Sequence, residues 1–167
     1  LYKNNKISFN TYHGSADTIV ADSATNMIIM RSAIHLLDSI NNMIVEGNYG
    51  EMYKETNYAF ITDSALLTMV GNPDSLFLHA DTLTLKQEVR DTIEVSVVDA
   101  YRRVRMFNRD LQAICDSMSF DTKDSIVYLF NDPVVWASGN QLTATTIDLK
   151  IKDGIADQFH MNENALI

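Results

Sequence analysis

Along much of this chain apolar and polar residues alternate with a period of two. Ser75–Ala80 puts Leu76, Leu78 and Ala80 on one face, and Thr82–Lys86 does the same with Leu83 and Leu85. Thr92–Val97 groups Ile93, Val95 and Val97, and Thr146–Lys152 groups Ile147, Leu149 and Ile151. Successive side chains of a strand point to opposite faces, so each segment predicts a half-buried β-strand. Val104/Met106, Leu111/Ala113/Cys115, Met118/Phe120, Ile126/Tyr128/Phe130 and Val134/Trp136 extend the pattern. Met27, Met30, Ile34, Leu37 and Ile44 also fall at helical three-four spacing, as do Val104, Phe107, Leu111, Ile114 and Met118. Both stretches are broken by Asp-Ser pairs and are rich in Asn, Thr and Ile, poorer helix formers than Ala or Leu, which favours strands.

Punctuation comes from a tripeptide of Asp, then Ser or Thr, then an aliphatic residue or Met. It begins at Asp17, Asp22, Asp38, Asp63, Asp74, Asp81, Asp91, Asp116 and Asp124. Asp and Ser side chains bond to nearby backbone N–H groups at corners, and the following apolar residue opens a strand. Alternation plus corners predicts an all-β domain of about fifteen or more short strands, each near five or six residues. Asp38 to Asp63 is 25 residues, Asp91 to Asp116 again 25, and the two pairs are offset by 53. Ile40, Ile44, Val45 and Ile61 map onto Ile93, Val97, Val98 and Ile114. An internal repeat of about 53 residues is therefore expected, roughly 38–90 and 91–143, within one domain spanning 1–167.

Length and composition agree with a single packed domain. The 167 residues are 46% apolar and 21% charged, which excludes a disordered chain. No apolar run approaches the roughly 18 residues of a membrane-spanning helix. Thirteen Lys and Arg against 22 Asp and Glu leave a net charge of -9, the wrong sign for a phosphate-backbone binder, so nucleic acid is not an expected partner. With Cys115 the sole cysteine there is no internal disulfide and no multi-thiolate zinc site. The chain opens at Leu1 without a charged stretch leading into an apolar one, so an export signal is expected to lie outside it.

Several segments resemble one family. They are Val45–Glu51, Ile61–Leu67, Asp74–Leu83, Phe107–Ser117, Asp132–Trp136 and Asn140–Ala144; the most specific are the Asn-x-Asp-Leu-Gln-Ala-x-Cys-Asp-Ser run and the Asp-Pro-Val-x-Trp corner. From about Ile40 onward the chain resembles OstA-like proteins, relatives of the periplasmic lipopolysaccharide-transport protein LptA and of the periplasmic domain of LptD. The resemblance implies an open β-jelly roll, shaped like a taco shell, whose apolar interior accommodates lipid A acyl chains. It also implies a periplasmic location in a Gram-negative cell and a role in outer-membrane biogenesis. Partners would be lipopolysaccharide and other lipopolysaccharide-transport proteins, the latter through edge strands, with head-to-tail self-association. Ile7–Asn10 and Ala156–His160 are candidate edges.

On this reading the groove lining is drawn from Leu76, Leu78, Leu83, Leu85, Val104, Met106, Met118, Phe120, Tyr128, Phe130 and Trp136. Arg102, Arg103, Arg105 and Arg109 crowd one short stretch. Arg103 and Arg105 would point away from Val104 and Met106 and line a rim, where their forked guanidinium groups suit lipid A phosphates. The alternative for these arginines is a solvated face that neutralises neighbouring carboxylates.

Nothing points to catalysis. Nine of sixteen Asp residues serve the corner tripeptides, and His13, His35, His79 and His160 lack metal-ligand spacing. Nucleophile elbows, phosphate loops and dinucleotide fingerprints are missing too, so neither enzyme, metal nor cofactor is expected. Two other readings stay open: a β-repeat scaffold for protein–protein assembly with a filled core, and a carbohydrate-active domain using two of the aspartates.

Overall fold

The computed structural model describes residues 5–9, 12–152 and 155–167, and among these it is strands and turns without a helix. Three short strands, β1 (Asn5–Phe9), β2 (Tyr12–Ala16) and β3 (Thr18–Asp22), lead into six long ones. The long ones are β4 (Met27–Asp38), β5 (Met43–Tyr53), β6 (Tyr58–Met69), β7 (Leu76–Arg90), β8 (Ile93–Phe107) and β9 (Leu111–Asp121). Then come β10 (Ile126–Phe130), β11 (Val134–Ala137), β12 (Asn140–Thr143), β13 (Thr146–Lys152) and β14 (Ile155–Asn162). All pair antiparallel in one open sheet of order β1-β2-β4-β5-β6-β7-β8-β9-β10-β13-β14, with β3 beside β4 and the β11–β12 hairpin beside β9. Among the described residues fourteen strands stand where fifteen or more were expected, and β4 to β9 are longer than expected, at 11 to 15 residues each.

These long strands are each bent once, and the bends line up. Register breaks fall between Arg31 and Ile34, Glu46 and Tyr49, Thr62 and Ala65, His79 and Thr82, and Tyr101 and Val104. Within them Ser32, Ala33, Asp63, Ser64, Arg102 and Arg103 have left-handed backbone, φ between 49° and 65°. Across one such break Arg102 and Arg103 oppose Asp116 alone, the geometry of a bulge, which bends a strand sharply. A row of such bends creases the sheet into two layers. β1, β2, β11 and β12 belong to the first layer, β3, β10, β13 and β14 to the second, and β4 to β9 cross from one to the other.

The nine tripeptides mark this architecture. Asp17, Asp63, Asp81 and Asp116 sit along the crease, and Asp22, Asp38, Asp74, Asp91 and Asp124 sit at the strand-connecting turns. Asp22 shows the chemistry: its carboxylate accepts from the Ala24 N–H at 2.8 Å and the Thr25 hydroxyl at 2.9 Å. Those hydrogen bonds hold it below the usual carboxylate range. Asp38 and Asp91 lie in hairpin turns on opposite rims, while Asp63 and Asp116 both lie on the crease.

The core fills the space between the layers. Ile61, Leu67, Leu83, Val98, Val127, Leu129, Ile147 and Leu149 have no exposed surface, and one continuous cluster joins them. Each such side chain contributes about 1.5–3 kcal/mol relative to leaving it in water. Three face assignments change. In β8 the inner face carries Ser96, Val98 and Ala100, leaving Ile93 54% exposed. In β10 Val127 and Leu129 are buried, so Tyr128 and Phe130 point outward; in β11 Val135 is buried and Trp136 points outward. In β10 and β11 both faces are apolar, so the alternation has two equivalent phases, and pairing with β9 and β13 selects one. In β8 the expected set divides, Val95 being buried while Ile93 is exposed and the polar Ser96 is buried at the mouth.

Candidate functional site

Opposite the crease the two layers end in two rims that face each other across a mouth. One rim holds the β4–β5, β6–β7 and β8–β9 turns; the other holds the β5–β6, β7–β8 and β9–β10 turns. Over part of their length they touch. Asp38, fully buried at the end of β4, accepts from the Ile40 and Asn41 N–H groups at 3.1 and 3.2 Å and from Asn41 Nδ2 at 2.7 Å. The same Asn41 amide reaches Ser96 Oγ of β8 at 3.3 Å, a polar bridge from rim to rim.

Beside this bridge Tyr12 extends from β2 toward Met52, Tyr58 and Leu85 of the second layer. It is 7% exposed, and its hydroxyl is buried near Asp38, Ser96 and Gln87 without a hydrogen bond of ordinary geometry. Burial, reinforced by the Asp38 charge, pushes its phenol well above the usual tyrosine value.

Further along, the rims part and leave a cleft of about 520 Å³. Met43 and Met69 of the first layer and Phe120 and Ile151 of the second form its floor, and Asn41, Asn42 and Asn72 its brim. Among the described residues no hydrogen bond involves the Asn42 or Asn72 side-chain amide. The cations on the neighbouring strands are engaged elsewhere. Arg90 pairs with Asp121 and Glu88, Lys123 with Asp91 at 3.4 Å, and Lys150 donates to the Asp124 carbonyl. Asp121 feels burial, which pushes it up, but the Arg90 and Lys123 N–H donors outweigh burial and hold it below the usual range.

Of the expected lining residues, Leu76, Leu78, Leu83, Leu85, Val104, Met106, Met118 and Phe120 all face inward and are buried. Phe120 is the one that reaches the cleft floor. Tyr128, Phe130 and Trp136 stand on the outer surface, for the reason given above. Cleft residues Met43, Met69 and Ile151, and Tyr12, were missed; Ile151 carried a strand signal, but only the fold brings it opposite Met43.

The arginines do not line the mouth. Arg102 and Arg103 lie on the crease, turned outward by their left-handed backbone, and Arg103 pairs with Asp81 at 2.6 Å. Arg105 follows on the outer face, beside Cys115 and Asp116 in a depression of about 550 Å³. Cys115 itself is partly buried, and burial pushes its thiol up to about 12. Arg109, at the β8–β9 turn, pairs with Asp74 at 3.4 Å and shares a shallow cleft of about 340 Å³ with Trp136.

The outer face of the first layer carries a row in direct register: Phe77, Phe107, Gln112, Trp136 and Gln141. The three aromatics are 41%, 53% and 38% exposed, and Trp136 Nε1 donates to Gln141 Oε1 at 3.0 Å.

No protein-family profile matches the chain, and neither does any curated protein. Among solved structures it is similar to LptH of Pseudomonas aeruginosa, the LptA-homologous periplasmic component of the conserved lipopolysaccharide transport device. The TM-score is 0.60 and the identity 16%, over 75% of this chain and 85% of that one. The fold is thus LptA-like: an open, creased antiparallel β-jelly roll.

Proposed function

We propose that this protein is a non-enzymatic periplasmic component of lipopolysaccharide transport that holds acyl chains between its two layers and bridges to other transport proteins through its edge strands. The observation that carries this reading is the LptA-like fold with an apolar interior that opens at the mouth, over Met43, Met69, Phe120 and Ile151. The inner side chains meet across the layers, so acyl chains would enter by parting the rims, and flexible Met side chains suit such repacking. Among the described residues, β1 and β14 at the two ends of the main strand order each have one unpaired side, the arrangement that strand addition uses. Of the candidate edges, 7–9 belong to β1 and Ala156–His160 to β14, while Asn10 lies outside the described residues.

The test is a photoreactive residue at Phe120 in cells that make lipopolysaccharide, with Phe130, on the outer face, as the control. Crosslinks to lipopolysaccharide from position 120 and not from 130 are expected. A folded protein that crosslinks from neither, and that carries no co-purified lipid, would favour the second reading. That reading is a scaffold with a filled core, supported by the closely packed interior and by the exposed Phe77, Phe107 and Trp136 row.

A further inference from the structure

The Asn108–Ser117 run and the Asp132–Trp136 corner, both singled out in the sequence, come together where β9 pairs with β11 on the outer face of the first layer. The turns beside them are fixed. The buried Asn108 side chain accepts from the Asp110 and Leu111 N–H groups at 2.9 and 2.7 Å, which sets the β8–β9 turn. Ser138 and Gly139 have left-handed backbone, φ 51° and 79°, and close the β11–β12 hairpin in the conformation that matches the twist of paired strands. Between these turns lies the cleft of about 340 Å³, with Arg109, Asp110, Gln112, Trp136, Asn140 and Gln141 among its walls.

From this cleft the row Trp136, Gln112, Phe107 and Phe77 runs in direct register from β11 through β9 and β8 to β7. Neighbouring strands lie about 4.8 Å apart, so the row is about 14 Å long, room for a short oligosaccharide. Its chemistry fits such a ligand. A sugar ring carries C–H groups on its flat faces and hydroxyls around its edge. The negative face of an aromatic ring attracts the former, and a planar amide both donates to and accepts from the latter. Exposed aromatics stand at Phe77, Phe107 and Trp136, with the exposed Gln112 between two of them and Gln141 holding the indole N–H. At its other end the row reaches the mouth: Phe77 pairs with Thr68, next to Met69 of the mouth-cleft floor.

The geometry points to an oligosaccharide-binding platform on the outer face, which takes the sugar portion of lipopolysaccharide, laid over the first rim while the acyl chains enter the mouth. The source of the sugar rests on the proposed transport function; the platform rests on the row and its cleft.

Trp136 is the single tryptophan of the chain, so its fluorescence reports on the platform directly. The folded protein is titrated with two acyl-free probes: the oligosaccharide released from lipopolysaccharide by mild acid, and an N-acetylglucosamine tetramer as a soluble piece of cell-wall glycan. A saturable change is expected with the first probe at lower concentration than with the second. Phe107→Ala should weaken it about five- to tenfold, the loss of one aromatic contact, whereas Phe130→Ala, on the outer face of the second layer, should leave it unchanged. Absence of a saturable change with either probe, or an affinity that Phe107→Ala does not move, would overturn the platform. Tighter binding of the tetramer would overturn lipopolysaccharide as the source in favour of the cell wall. Neither probe carries an acyl chain, so these outcomes are independent of the Phe120 crosslink that tests acyl holding. Sugar binding by a protein that never crosslinks from position 120 would keep the platform and overturn the lipid route to it.

Discussion

Asn41 and Ser96, 55 residues apart in the chain, meet across the mouth at 3.3 Å, and the amide that joins them also satisfies the buried carboxylate of Asp38. One side chain thus ties the two rims and neutralises the cost of burying an acid at the end of β4. The two duties have different weights, because a buried acceptor stripped of its donor costs more than a lost neutral hydrogen bond.

Asn41→Ala should therefore lower unfolding stability by about 1–3 kcal/mol, and Ser96→Ala by about 0.5–1.5 kcal/mol. Urea denaturation measures both. Equal losses would mean that the rim bridge, not Asp38, carries the energy.

Tyr12→Phe removes a buried hydroxyl that lies near Asp38, Ser96 and Gln87 without a hydrogen bond of ordinary geometry. Relief of that desolvation should raise stability by about 1 kcal/mol. The substitution also changes the alkaline limb. Below pH 10 the phenol is protonated in both states; above it the unfolded chain releases the proton while the folded protein holds it, so stability falls as pH rises. The variant should show a shallower fall above pH 10 in pH-dependent urea melts.

Asp121 acts at the other end of the scale. Its folded carboxyl is held below the usual value, so it contributes stability above about pH 4, where the unfolded group is also ionised, and loses it as pH falls through the lower folded value. Asp121→Asn should be less stable at pH 7 and should flatten the acid limb below pH 4. Acid titration followed by circular dichroism detects the change.

Ala33 lies on the crease with φ 49°, a conformation in which its Cβ is strained. Ala33→Gly should raise stability by up to about 1 kcal/mol, and Ala33→Val should lower it, as read from thermal melts. The opposite order would mean that the bend at β4 does not persist in solution.

The strand-rich character and most of the inner face were legible without coordinates. Within the runs Leu76, Leu78, Ala80, then Leu83, Leu85, then Ile147, Leu149, Ile151, these residues recur at every second position, with polar residues between them except for Phe77, and are buried. The Asp-Ser and Asp-Thr corners were legible too, because their side chains act on backbone within two or three residues. The mouth was not: no local pattern shows that Met69 will face Phe120, or Asn41 Ser96, since those contacts depend on where the sheet folds over.

By itself, then, the sequence determined an all-β chain, its corners, and the inward set of strands such as β7 and β13, whereas in β8 the apolar Ile93 is exposed and the polar Ser96 faces inward. Tertiary structure decided the phase of Ile126–Phe130 and Val134–Trp136, where both faces are apolar and only the register with β9 and β13 makes the choice. It also decided what each corner does. In β4, β6 and β8, running toward the first layer, two left-handed residues bend the strand and the alternation keeps its phase, as in Ile61 and Ala65. In β5, β7 and β9, running back, the phase slips by one residue, from Ala80 to Leu83 or Ala113 to Met118. A bulge adds a residue to one strand relative to its neighbour, so the same Asp-Ser signal that reads as a turn in isolation becomes a crease once a paired strand lies on either side.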